Sequence, residues 1–216
     1  MIRGVLFDFD GVIVQSEELH RSTFMVVLAP FNINVQTERW YREFAGTGSR
    51  HIITSLLKEN KIQANIDELV EKRKKLYESR VKNGELRETD GIRSFLSFLK
   101  EKNIKTAIVS GSHSTNVAAA LSFFGLRHFF DVIVSGDDLP MRKPDPGPFL
   151  HAAKLLGLKP EECLAVEDSV AGAKSAKAAG MLLVVVKSPA SAAIDDYALI
   201  IDDFREIEKL RLLLGS

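Results

Sequence analysis

The sequence predicts an α/β fold: a parallel sheet with helices on both faces, and a small all-α domain inserted after the first strand. Short apolar runs recur along the chain without polar alternation, as strands buried on both faces require. Helical patterns lie between these runs, which indicates βαβ units. Between the first and second runs the apolar residues recur only at helical spacing.

In chain order, the expected strands lie at 5–9, 106–109, 132–135, 164–166, 182–186 and 199–201. Ile92, Phe95, Leu96 and Leu99 mark one helix; Val117, Ala120, Leu121 and Phe124 mark the next. Phe149, Ala152, Ala153 and Leu156 mark a third, and Val170, Ala173 and 176–179 a fourth. Gly125, Gly157 and Gly180 stand just past three of these, where a helix C-cap favours glycine. The inserted helices are expected at 19–29, 38–44, 52–57 and 66–81. The last sets Ile66, Leu69, Val70, Leu76, Tyr77 and Val81 opposite Glu71, Lys72, Lys74 and Lys75, a solvated charged face. The expected division is a core of 1–14 and 88–216 and a helical insert of 15–87, hinged near Val14 and Glu88.

Composition narrows the function. The 216 residues carry 29 basic and 29 acidic side chains, with 45% hydrophobic and 27% charged residues, which excludes a disordered or fibrous chain. Zero net charge argues against a general nucleic-acid binder. Apolar runs such as 181–186 are six residues long, far below the ~20 of a membrane helix. Residues 1–10 lack the long apolar stretch of a signal peptide. A single cysteine, Cys163, makes no internal disulfide, so a cytoplasmic location is expected. The expected partner is a small molecule, neither nucleic acid nor membrane, and the expected state a monomer or weak dimer.

Ligands of open α/β sheets bind at the carboxyl ends of the strands. After the first strand come Asp8 and Asp10; after the second, Ser110, Gly111 and Ser112, opening a helix. After the third comes Arg142-Lys143-Pro144-Asp145-Pro146, and after the fourth Glu167-Asp168-Ser169. Alone, the Asp-x-Asp pair is usually a surface turn, the lysine before proline a solvated loop residue, and the Ser-Gly and Glu-Asp-Ser segments helix caps; four such features on one sheet edge are not. Clustered carboxylates take up protons or require a cation. Hard oxygen ligands without grouped histidines point to Mg²⁺. The Ser-Gly helix start and Lys143 offer an anion cradle. Together they describe phosphoryl transfer.

The run Asp8-Phe9-Asp10-Gly11-Val12, the turn Val109-Ser110-Gly111, Lys143-Pro144-Asp145-Pro146 and Glu167-Asp168-Ser169 resemble the four motifs of the haloacid dehalogenase superfamily. The insert is similar to the C1 cap of its β-phosphoglucomutase-like and phosphatase-like branch, on a Rossmann-like core. The resemblance implies a Mg²⁺-dependent phosphatase of a small phosphorylated metabolite, a sugar phosphate or phosphoglycolate. It implies Asp8 as nucleophile, forming an aspartyl-phosphate, and Asp10 as general acid and then base. Ser110, Gly111 and Lys143 would hold the phosphoryl oxygens. Asp8, Asp10 (through its carbonyl), Glu167 and Asp168 would hold the metal.

Within the insert, His20 and Arg50 are candidate substrate contacts, Arg50 closing the stretch Gly46-Thr47-Gly48-Ser49-Arg50; an exposed helix histidine and a solvated helix start are the plainer readings. Gln15 and Ala45 stand where related proteins often have aspartate and, in the mutases, lysine. Losing that cation favours hydrolysis over the alternative, a phosphosugar mutase. A phospho-accepting receiver is a non-enzymatic alternative, but it places its acceptor after a middle strand and has no helical insert. No G-x-G-x-x-G follows a strand, which argues against a dinucleotide site.

Overall fold

The computed structural model describes residues 1–45 and 47–215. They form two units, one of 1–15 and 87–216, the other of 16–86. In the first unit the strands are β1 (Gly4–Phe7), β2 (Val14–Gln15), β3 (Arg87–Glu88), β4 (Lys105–Val109), β5 (Val132–Val134), β6 (Cys163–Glu167), β7 (Leu182–Val186) and β8 (Leu199–Ile201). Its helices are α5 (Ile92–Glu101), α6 (Ser114–Phe124), α7 (Gly147–Leu156), α8 (Val170–Ala178) and α9 (Ile207–Leu214). The second unit contains α1 (Glu17–Leu28), α2 (Thr37–Glu43), α3 (Ser49–Glu59) and α4 (Ile66–Lys82).

Six strands form one sheet in the order β5-β4-β1-β6-β7-β8, and each neighbouring pair is parallel. β1 is central: Leu6 lies opposite Ala107 on one side and Ala165 on the other. All four of its residues are buried, which is why it reads as an unbroken apolar run. On one face Leu6, Ala107, Val109, Ala165, Leu183 and Val185 pack with Phe149, Ala152 and Ala153 of α7 and Ala173 and Ala176 of α8. On the other, the Phe7 ring meets Phe95, Phe130 and Phe204 at centroid distances of 6.0, 6.1 and 6.2 Å. Both faces are covered, as the sequence predicts.

Three features differ from expectation. The first strand ends at Phe7, because the Gly11 amide donates to the Val14 carbonyl (2.7 Å) and the Ile13 amide to Phe9 (2.9 Å), folding Asp8–Val14 into a tight turn. At the junction between the two units, β2 and β3 pair antiparallel, Val14 opposite Glu88 and Gln15 opposite Arg87. Two-residue strands carry no periodicity to read. Helix α9 was not anticipated, although Leu210 and Leu214 bury one side of it.

The 16–86 unit has its own core: Phe24, Leu28, Trp40, Phe44, Ile52, Ile53, Leu56 and Leu69 are all buried in one cluster. The Trp40 indole donates to Glu17 Oε1 at 2.6 Å, which satisfies its one polar atom. Helix α4 is capped by Asn65, whose side chain accepts from the Glu68 amide at 3.2 Å. Arg73 is buried on α4 beside Leu69, Tyr77 and Val81, a cation on the side read as apolar. Among the described residues no helix is long and apolar enough to cross a membrane.

Phe7→Ala removes the ring on which three others converge, and should cost about 3–5 kcal/mol. It is expected to lower the urea midpoint followed by circular dichroism at 222 nm; an unchanged midpoint would contradict this account of the core. Cys163 is fully buried, and burial pushes its thiol up to about 11, with Glu162 and Glu161 adding to the rise. The proton is held more tightly in the folded state, so the thiolate is scarce at pH 8.5. Iodoacetamide should then label Cys163 in urea but not in the native protein.

Candidate active site

Because β1 lies between β4 and β6, the chain leaves it toward one sheet edge and later returns on its other side. Such a switch point opens a crevice at the carboxyl ends of the strands. Asp8 follows β1, Ser110 follows β4, Glu167 ends β6, and Lys143 lies on the connection from β5 to α7. All belong to the 1–15 and 87–216 unit.

Lys143 joins them. Its ammonium donates to Asp8 Oδ1 (2.5 Å), Glu167 Oε1 (2.5 Å) and the Val109 carbonyl (2.7 Å), one bond for each proton. The ammonium also lies 5.0 Å from the centre of the Phe149 ring. Burial alone would lower the affinity of Lys143 for its proton, but the charges of Asp8 and Glu167 outweigh it and hold the amine above the ordinary lysine range. Burial pushes the Asp8 carboxyl up to about 7; Lys143 pulls against this, while Glu167 and Asp10 push with it. Negative charge is in surplus.

Glu167 has no solvent exposure. Its Oε2 accepts from the Asp168 amide (3.1 Å), the Ser169 amide (3.2 Å) and the Ser169 hydroxyl (3.0 Å). Ser169 also caps α8, accepting from the Gly172 amide at 3.1 Å. A Cβ on Gly172 would fall 1.8 Å from Glu167 Oε1, so only glycine lets this carboxylate lie against the helix.

Asp8, Glu167 and Asp168 each offer an oxygen, and these lie within 4.8 Å of one another. A set of carboxylate oxygens suits a hard divalent cation. The turn at Gly11 (φ +82°) comes so close that a Cβ there would meet Asp168 Oδ2 at 2.2 Å. Donor chemistry and surplus charge both fit a metal, and fit Mg²⁺ better than a softer ion. The Asp10 carboxylate stands outside this group: its Oδ2 accepts from the Ser112 hydroxyl at 2.5 Å.

Ser110 is buried, its amide donating to Val134 (2.8 Å) and its hydroxyl accepting from the Ser112 amide (2.9 Å). Gly111 is exposed. The expected helix start at this point is corrected: α6 begins at Ser114, and the Ser114 amide and hydroxyl both bond to Asp137, at 2.8 and 2.7 Å. These bonds hold the Asp137 carboxyl at about 2. Ser110 and Gly111 therefore belong to a loop, and the first amide of the helix already has an anion.

The two insert candidates lie in the 16–86 unit. The His20 ring stacks flat on Tyr77 (4.4 Å between centroids, 3° between planes), and its Nδ1 contacts the Arg73 guanidinium. The plain reading of His20 as an exposed helix residue is thus corrected; it is half-buried. Arg50 is exposed and pairs with Asp67. Gly46, in the stretch that Arg50 closes, lies outside the described residues. Ser112, Gly172 and Arg73 carry no assigned role in the sequence, and Ser169 only that of a helix cap. Ser169 alone carried a signal, as a serine just ahead of an apolar helix.

Residues 5–186 match the family model described as haloacid dehalogenase-like hydrolase. A phosphorylated carbohydrates phosphatase of Thermotoga maritima is 31% identical, over 83% of this chain and 82% of its own length. Fructose-1-phosphate phosphatase YqaB of Escherichia coli is 30% identical, over 85% of this chain and 96% of its own. The crystal structure of CbbY from Rhodobacter sphaeroides with phosphate superposes with a TM-score of 0.84 at 28% identity, covering 96% of each chain. The α/β core with a helical insert of α1–α4 is the architecture the sequence predicts, and this structure shares it.

Gly172→Ala must expel the Glu167 carboxylate and break its pairing with Lys143, which should destabilise the fold by about 3–5 kcal/mol. Ser169→Ala loses a helix cap, worth about 1 kcal/mol. Thermal unfolding of both variants checks the order; a harmless Gly172→Ala would contradict the packing described.

Proposed function

The chain belongs to the haloacid dehalogenase-like hydrolases, as a phosphoric monoester hydrolase, and we propose that it is a Mg²⁺-dependent phosphatase of a small sugar phosphate or of phosphoglycolate, working through an aspartyl-phosphate on Asp8. One observation carries the reading: Lys143 bonds at once to Asp8 and Glu167, beside a third carboxylate, Asp168, and close to the loop of Ser110. Named relatives that act on carbohydrate phosphates and on fructose 1-phosphate support the substrate class.

An Asp8 oxygen attacks phosphorus, and the bond from phosphorus to the leaving oxygen breaks. Asp10 gives that oxygen a proton. Asp10 then takes a proton from water as the water oxygen attacks phosphorus, the bond to Asp8 breaks, and inorganic phosphate leaves. The Ser110 hydroxyl and the Gly111 amide hold the phosphoryl oxygens through both steps, and Lys143 neutralises them, turning its Val109-bound proton to a phosphoryl oxygen. Mg²⁺ held by Asp8, Asp168, the Asp10 carbonyl and Glu167, directly or through water, would neutralise charge shared by phosphate and carboxylates. Arg50 has given its charge to Asp67 and His20 its Nδ1 to Arg73, so neither carries the reading.

Screening phosphorylated metabolites with Mg²⁺ for released phosphate, including phosphoglycolate and β-glucose 1-phosphate, tests the proposal. Glucose 6-phosphate accumulating without free phosphate would overturn it in favour of a mutase. Asp8→Asn should abolish turnover while leaving the circular dichroism spectrum unchanged. Excess EDTA should do the same to the wild-type enzyme, with recovery on adding Mg²⁺; full turnover in EDTA would refute the metal assignment.

A further inference from the structure

We infer that Ser112 is a positioning residue for the acid–base group: its hydroxyl holds the Asp10 carboxyl in the orientation that serves the leaving oxygen. The inference rests on the proposed role of Asp10. Ser112 Oγ lies 2.5 Å from Asp10 Oδ2, a bond that joins positions 102 residues apart. Both ends are anchored. The Ser112 amide donates to the Ser110 hydroxyl (2.9 Å), and the Ser112 carbonyl accepts from the Gly136 amide (2.9 Å). Gly136 makes this approach feasible, since a Cβ there would fall 2.2 Å from the Gly111 carbonyl oxygen. At the other end, Asp10 sits in the tight turn closed by the Gly11-to-Val14 bond (2.7 Å). With both backbones fixed, the remaining freedom of the Asp10 carboxyl is rotation about its own side-chain bonds. A hydroxyl on Oδ2 removes it.

A merely structural hydroxyl would not care which ester is cleaved. An acid that protonates the leaving oxygen matters most for alkoxides and little for a good leaving group such as p-nitrophenolate. The value of kcat/KM isolates the step that expels the leaving group, whereas kcat also includes hydrolysis of the aspartyl-phosphate. The experiment measures kcat/KM of wild type, Ser112→Ala, Ser112→Thr and Asp10→Asn on an alkyl phosphate and on p-nitrophenyl phosphate. Ser112→Ala should lose about tenfold or more on the alkyl ester than on the aryl ester, a fraction of the 10²–10⁴ typical of a full acid–base group. Ser112→Thr, which keeps the hydroxyl, should recover most of that difference.

The two readings fail differently. If Asp10→Asn shows no leaving-group selectivity, the assignment of Asp10 as acid is wrong and the inference falls with it. If Asp10→Asn is selective while Ser112→Ala reduces both esters equally, Asp10 keeps its role and the inference about Ser112 is overturned. A thermal midpoint for each variant separates loss of fold from loss of alignment.

Discussion

The Lys143 ammonium, held between Asp8 and Glu167 and closed by the Val109 carbonyl, is the constraint on which the site depends. Four carboxylates, Asp8, Asp10, Glu167 and Asp168, gather where the chain supplies this one amine. At an effective dielectric near 20, two like charges roughly 5 Å apart repel by about 3 kcal/mol. One amine relieves only part of that, so the protein keeps an appetite for further positive charge. Burial first, and then the charges of Glu167 and Asp10, raise the Asp8 carboxyl, and the same crowding of carboxylates gives the site the donor chemistry that suits a divalent cation.

Backbone geometry sustains this imbalance. Glu167 is stabilised by the Asp168 and Ser169 amides just ahead of α8, donors already in place when charge shifts during reaction. Gly11, Gly136 and Gly172 each stand where a Cβ would strike a neighbouring carboxylate or carbonyl, at 2.2, 2.2 and 1.8 Å. Side chains at these points would force the strand-end loops apart. The rigid sheet holds the loops near one another, and the missing side chains let the carboxylates close the remaining gap.

What could be read from the sequence follows from how locally each feature is encoded. Strands β1, β4, β6 and β7 announce themselves because two covered faces demand consecutive apolar residues. Asp8, Glu167 and Asp168 were legible because chemistry at a strand end stands out against that run, and Lys143 because it precedes proline in the segment that follows the third strand. β2 and β3 were not, since two residues give a pattern no length to develop. Arg73 was hidden for another reason: its guanidinium is buried by bonds to Thr23 (3.1 Å) and by the faces of Phe24 (4.6 Å) and Tyr77 (4.9 Å), partners that only the tertiary fold brings near. Ser112 belongs with it, as its meaning lies in a residue of the first strand's turn. The misplaced start of α6 has a related cause. Ser110, Ser112 and Ser114 are all acceptable near a helix start by residue type, and Asp137, from a different loop, settles the boundary at Ser114.

Under the mechanism proposed above, Asp8 and Asp10 would show how one residue type comes to hold two roles. Two positions apart, they share a motif but not an environment. Asp8 is buried against Lys143, so its Oδ1 is held and faces a cation that cannot leave. Asp10 is half-buried and meets a neutral hydroxyl, a partner able to accompany the carboxyl in either protonation state. A nucleophile must stay ionised and aimed; an acid–base group must exchange its proton within one catalytic cycle. In the proposed mechanism, a fixed cation beside the first and a hydroxyl beside the second would divide the labour by surroundings rather than by side-chain chemistry.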